Sequence, residues 1–321
     1  MTPTRILAVL CIALVLVPGA RAQDAYPSKG VRLVAAAAPG GNPDVLARML
    51  AARLADVFGR PFVVENLPGA GGVVAAEQLV RAPADGYTLM LGDSGALAIN
   101  VALNPKLTYH PLKDFTLITA LAAVPTVLVL HPRVDAISLQ EFVSLGKSNQ
   151  LAYGSAGSGS VHHLTMAVFL GRAGIEMLHV PYKGGSALVA AVLAGEVQSG
   201  WSGIPNVAAL IRSGKLRVLC ISTAQRSASL PEVPTAIELG YAGFDIATTI
   251  GLQAPAGLPR DIVARLQAAV AKALRERDLA DRMANLGMEL RENGTEHYAR
   301  FVREDLERYA AAVKAAGIKQ D

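Results

Sequence analysis

The chain has 321 residues, 52% of them hydrophobic and 5% aromatic, with 30 Lys and Arg against 26 Asp and Glu for a formal charge of +4. This apolar content excludes a disordered chain, and the length supports a core that needs no covalent staples. No basic run with interleaved aromatics occurs, so nucleic acid is not an expected partner.

Residues 1–22 read as an export signal, with Arg5 in the positive n-region, Ile6 to Val17 as the apolar h-region and Ala20-Arg21-Ala22 as a small-x-small cleavage pattern. The mature chain then begins at Gln23. The apolar run is short for a membrane span. Loss of Arg5 and Arg21 lowers the formal charge from +4 to +2. Of the two cysteines, Cys11 lies in the signal, so Cys220 has no intramolecular disulfide partner.

Short apolar runs then alternate with helical patterns. Val31–Ala37 predicts a strand, and Val45, Leu46, Met49, Leu50, Leu54, Val57 and Phe58 recur at helical spacing. Pro61–Glu65 predicts a strand, Gly71–Val80 a helix and Tyr87–Leu91 a third strand. A second series has strands at Thr126–Leu130, Leu151–Gly154, Met177–Val180, Gln198–Trp201 and Leu216–Ser222. Its helices are at Leu139–Lys147, His163–Arg172, Ala187–Ala194 and Val207–Ser213. A last strand, Ile246–Gln253, precedes helices at Arg260–Arg275, Leu279–Leu286 and Glu296–Ala315.

Such βαβ order predicts an α/β fold of two lobes, each a mainly parallel sheet flanked by helices. The expected division is 23–123 as the first part of lobe 1, 124–225 as an inserted lobe 2, and 226–321 as the rest of lobe 1 with the C-terminal helices. Crossings fall near Ala122–Thr126 and Thr223–Ser227. Ligands of open α/β sheets sit beyond the carboxyl ends of the strands, which places the site in the cleft between lobes.

Glycine turns stand at those strand ends. In Ala38-Pro39-Gly40-Gly41-Asn42-Pro43-Asp44, a strand runs through a turn into a helix, with Asn42 able to cap it and Pro43 suited to its first position. Free N–H groups at a helix start form an anion site; taken alone, the segment is also an ordinary strand-to-helix turn. Comparable turns are Gly92-Asp93-Ser94-Gly95, Gly154-Ser155-Ala156-Gly157-Ser158-Gly159-Ser160, Tyr182-Lys183-Gly184-Gly185-Ser186 and Gly200-Trp201-Ser202-Gly203. Trp201 reads either as a packing residue between lobes or as a cleft wall that stacks on a flat ligand. Of His162 and His163, one points at the cleft from the helix start and the other is packed or exposed.

Catalytic patterns are missing. Ser155, Ser158 and Ser202 each break the Gly-x-Ser-x-Gly elbow, and the histidines lack metal-ligand spacing. No P-loop, Cys-x-x-Cys or dinucleotide fingerprint is present. A binding protein without cofactor or metal is expected, and a serine-dependent hydrolase is the remote alternative.

These segments together resemble the Bug family of periplasmic solute-binding proteins, the receptors of tripartite tricarboxylate transporters. The resemblance runs from Tyr26-Pro27-Ser28-Lys29 through Ala38-Pro39-Gly40-Gly41, Val64 to Gly72, Ala84-Asp85-Gly86-Tyr87, Tyr153 to Gly157, His179 to Gly184 and Leu230 to Thr235, ending at Ala254-Pro255-Ala256-Gly257. It implies a type II periplasmic-binding fold that closes over a small organic acid, such as a di- or tricarboxylate or an aromatic carboxylate. It also implies a periplasmic protein working with membrane transporter subunits; a monomer is expected, and a membrane sensor kinase is the alternative partner. The ligand set it implies is Pro39, Gly40 and Gly41; Ser94 and Gly95; Ser155, Ala156, Ser158, Gly159 and His163; and Tyr182, Lys183 and Gly184, to which the turns themselves add Asn42, Asp44, Trp201 and Ser202 as expected ligand residues. Two departures stand out. Pro43 removes a donor where the family commonly continues Gly-Thr-Asp, and no acid accompanies Trp201-Ser202-Gly203.

Overall fold

The computed structural model describes residues 26–291 and 294–316. The export signal read over residues 1–22 lies outside them. No helix among the described residues is long and apolar enough to cross a membrane.

Strand β1 (Val31–Ala35) is buried along most of its length and pairs in parallel with β2 (Phe62–Asn66) and β3 (Thr88–Gly92). The crossovers are helices α1 (Asn42–Phe58) and α2 (Val73–Val80). Helix α1 buries Leu46, Leu50 and Leu54, one above the next at four-residue spacing, and ends at Gly59 with φ 64°.

The remaining elements follow in order: a π turn (Gly95–Ile99), α3 (Asn100–Leu103), β4 (Phe115–Leu130), α4 (Leu139–Ser148), β5 (Ala152–Ser155), α5 (Val161–Ala173), β6 (Leu178–Pro181), α6 (Gly185–Ala194), β7 (Ser199–Gly203), α7 (Ile204–Arg212), β8 (Arg217–Ile221), β9 (Ala247–Pro255), α8 (Arg260–Arg275), α9 (Arg277–Asn285), β10 (Glu289–Leu290) and α10 (Thr295–Ala316).

One sheet runs in the order β2-β1-β3-β9-β4-β7-β5-β6, with β8 and β10 also on β4. Its outer strands are parallel, as expected. Its middle is not: β9 is antiparallel to both β3 and β4, and β4 is antiparallel to β7 and β8. The architecture is therefore mixed α/β. The antiparallel middle comes from β4 and β9 passing between the halves in opposite directions.

Strand β4 is also far longer than its expected Thr126–Leu130. Its Phe115–Pro125 stretch pairs with β9, while Thr126–Leu130 pairs with β7. Pro125, which has no N–H to give a ladder, sits where the partner changes. The Phe115–Val124 run lacks polar alternation because it is buried on both faces, so no period marked it as a strand.

Each half has apolar clusters on both faces of its sheet. The first half packs Leu33, Leu50, Leu54, Leu266 and Val270 on one side and Val34, Leu79, Leu97 and Val302 on the other. The second packs Phe142, Phe169, Trp201 and Phe244 on one side and Leu188, Val192, Ile204 and Val207 on the other. Residues past 225 join the second half: Leu230 and Val233 in one cluster, Ala236, Phe244 and Ile246 in the other. We therefore propose that the second crossing lies at the start of β9 instead of at Thr223–Ser227. Helix α10 serves both halves, with Tyr298 and Val302 in the first and Tyr309 and Val313 in the second.

Candidate functional site

The carboxyl ends of β1, β2 and β3 face those of β5 and β6 across a cavity of about 450 Å³. Its first wall is the Ala36–Ala38 and Gly41–Pro43 loop, with Pro68–Gly72 and Asp93. Its second wall is Ala156, Gly157, Ser160–His162 and Tyr182–Gly185, with Asn206 from α7.

The donors of this cavity come from the starts of α1, α5 and α6. At α1, Gly41 is the capping residue in extended conformation, so Asn42 takes the first helical position and Pro43 the second. This corrects the expected cap: the Asn42 side chain makes no capping bond and instead lies against the Cα of Gly203. The Gly40 N–H is given to Asp44 Oδ2 at 2.8 Å, and the Gly41 N–H to Ala38 O at 3.0 Å. Val45 N–H bonds Gly41 O, so Asn42 and Asp44 hold the backbone N–H groups left over at this helix start.

At α5, Ser160 caps by accepting the His163 N–H, which leaves those of Val161 and His162. Gly184, whose φ is 103°, stands in the capping position of α6 and offers no side-chain cap, so Gly185, Ser186 and Ala187 keep theirs. The positive ends of three helix dipoles thus meet one small volume.

The walls touch above it. Ser186 Oγ donates to Pro39 O at 3.1 Å and Asn206 Nδ2 to Gly40 O at 3.4 Å. Asn100 Nδ2 reaches Gly159 O at 3.2 Å and Gly71 O at 3.4 Å.

Of the residues expected at the site, Gly41, Asn42, Ala156, Tyr182, Lys183 and Gly184 line the cavity. Pro39 and Gly40 form its rim through the bonds to Ser186 and Asn206. Asp44 lies beneath the loop. Burial opposes its charge, but Arg48, the Gly40 N–H and Asn66 hold its carboxyl below the usual range. Ser94 is buried elsewhere, donating to Asp305 and accepting the Thr249 N–H. Gly95 packs beneath Gly71.

Other expected residues brace the second loop without lining the cavity. Ser155 Oγ bonds His179 Nε2 at 2.7 Å and accepts the Gly157 N–H. Gly159 lies against Asn100, and Ser158 is not part of the cavity wall. His163 stacks on His179 with ring centroids 4.1 Å apart, so His162 is the histidine at the cavity. Burial pushes the His162 pKa down to about 4, which keeps its imidazole neutral.

The cleft-wall reading of Trp201 is corrected. Its ring is fully buried between Phe169 and Phe244, stacked on the latter at 5.5 Å, and it faces a core, not the cleft. Ser202 is fully buried on β7 as well and does not line the cavity.

Sequence reasoning missed Pro68–Gly72, Asp93 and Asn206, and of the two adjacent histidines it placed His163 in the ligand set where His162 lines the cavity. The Gly69-Ala70-Gly71-Gly72 turn carried the same signal as the others, a glycine cluster after a strand. Asp93 was visible as an acid at the end of β3. Nothing in a single sequence distinguishes His162 from His163.

Residues 46–318 match the family described as the tripartite tricarboxylate transporter family receptor. The chain is 34% identical to the protein BugT of Bordetella pertussis, covering 99% of each chain. Among solved structures, R. palustris Rpa4515 with adipate superposes at a TM-score of 0.89, with 32% identity over 92% of this chain and 99% of that one. MatC of Rhodopseudomonas palustris with bound malate superposes at 0.86, with 34% identity over 90% of this chain and 100% of that one. The chain thus belongs to the tripartite tricarboxylate transporter receptor family, whose members are periplasmic solute-binding receptors and not enzymes.

Proposed function

We propose that this protein is a periplasmic receptor that captures a small organic carboxylate and presents it to the membrane subunits of a tripartite tricarboxylate-type transporter. The observation that carries this reading is the convergence of three helix N-termini, α1, α5 and α6, on one cavity of about 450 Å³. A carboxylate there accepts backbone N–H groups that have no other partner among the described residues, and it lies at the favourable end of each dipole. The walls already meet around that volume, so the carboxylate is held from both halves at once. Solved structures of relatives with adipate and with bound malate support the same ligand class.

Thermal unfolding of the purified protein with a panel of carboxylates tests this. A ligand at a hundred times its dissociation constant stabilises by about 2.7 kcal/mol, which raises the melting temperature measurably. Stabilisation by neutral sugars or amides, and by no carboxylate, would overturn it.

A further inference from the structure

The cavity presents acceptors as well as donors. Asp93, at the end of β3, is the only acid lining it among the described residues. The carboxylate is fixed by the main chain, with Oδ1 accepting the Gly95 N–H at 2.9 Å and the Ala96 N–H also bonding it. No Lys or Arg among the described residues pairs with it. Other wall residues add to the same character. Asn206 Oδ1 and Asn42 Oδ1 are buried acceptors without a partner, as is His162 Nδ1 when the ring proton sits on Nε2, and His162 itself is nine-tenths buried. Unmet buried acceptors call for a donor, from a ligand or from water it orders.

We propose that Asp93 determines specificity: it selects carboxylates that also carry a hydrogen-bond donor, a hydroxyl or an ammonium, over unsubstituted carboxylates of the same length. This rests on the receptor reading above. The ligand carboxylate takes the helix N-termini, and its donor satisfies Asp93. Burial, with Asp305 nearby, pushes the Asp93 pKa up to about 6 against the pull of the Gly95 and Ala96 N–H groups. At neutral pH the group is therefore an anionic acceptor held largely out of water, where a bond from a donor is strong and a second anion is repelled.

Calorimetric titration at pH 7.5 with matched triplets tests it: succinate, malate and aspartate; propionate, lactate and alanine; benzoate and its hydroxy and amino derivatives. The native protein should prefer a donor-bearing member by about tenfold or more, the worth of one hydrogen bond to a charged group. A winning hydroxy acid identifies the donor as a hydroxyl, and a winning amino acid as an ammonium. Asp93→Asn keeps an acceptor for the Gly95 N–H but turns an amide donor toward the cavity, so the preference should vanish or reverse. Asp93→Ser serves the same purpose if the amide variant does not fold. The proposal falls if the unsubstituted member wins in every triplet that binds, or if both variants keep the native preference. Binding of no carboxylate at all sinks the receptor reading and this inference with it.

Discussion

The two walls of the cleft are built from the same part, a glycine turn feeding a helix, yet they spend their backbone donors differently. The first loop braces itself from within: Asp44 folds back to take the Gly40 N–H, Ala38 O takes that of Gly41, and Pro43 has none. The second wall is braced from outside its donors. Ser160 caps α5, and Ser155 rests on His179, which stacks on His163. Helix α6 has no cap at all, so its first turn stays available. An anion site is thus what a loop's own hydrogen bonds leave over, and the second wall leaves more.

The largest expected effect tests the contact between the walls. At Gly184, φ is 103° and an added Cβ would stand 2.9 Å from the Ala38 Cβ. Gly184→Val should weaken carboxylate binding by about tenfold to a hundredfold, since bringing the walls together must then overcome the clash with Ala38 and a backbone strain on the order of 1–3 kcal/mol. Calorimetry reads the loss; native-like affinity in this variant would break the idea that the walls must meet there.

Next comes the brace of the first loop. Asp44→Ala removes one carboxylate serving Gly40, Asn66 and Arg48. Urea unfolding should show a loss of about 2–3 kcal/mol, the range for bonds to a charged group. Because its pKa is lowered on folding, this contribution is present at neutral pH and lost as pH falls through the folded value. A variant as stable as the parent at pH 7 would mean the loop holds itself without Asp44.

Asp93 contributes with the opposite sign. Its pKa rises from the ordinary 3.8 to about 6, so the folded state binds more protons between those values. Stability from this group should therefore fall as pH rises across that window. Urea titrations at pH 4.5 and pH 7 should show a smaller drop in Asp93→Asn than in the parent, and an equal drop would remove Asp93 as the source.

The smallest effect sharpens the comparison directly. Pro43→Thr restores a backbone N–H at the second position of α1, and should tighten carboxylate binding by about three- to tenfold, in line with one further bond at a helix terminus. Weaker binding would show that the fixed backbone of Pro43 matters more than its missing donor.

Much of this was legible in the sequence. The period of Leu46, Leu50 and Leu54 gave α1, and short apolar runs ending in glycines gave the parallel strands and both walls. What was not legible depended on partners far along the chain. Strand β4 lacks alternation because both its faces are covered. Trp201 alternates with neighbours whose facing cannot be known until β7 is placed beside β4 and β5. Ser94, Ser155 and His163 were recognised as belonging to the right turns, but their side chains face the supports, Asp305 and His179, and it is the adjacent residues Asp93, Ala156 and His162 that reach the cavity.

Strand β4 is continuous from Phe115 to Leu130, yet Pro125 interrupts its ladder where β9 hands over to β7 and β8. Directly after it, the Thr126 N–H goes to Ser222 Oγ, a side chain. By shape this is one strand; by pairing it is two. Deuterium uptake along it should divide into separate protection blocks on either side of a residue that has no amide to exchange, each block rising and falling with its own half of the molecule.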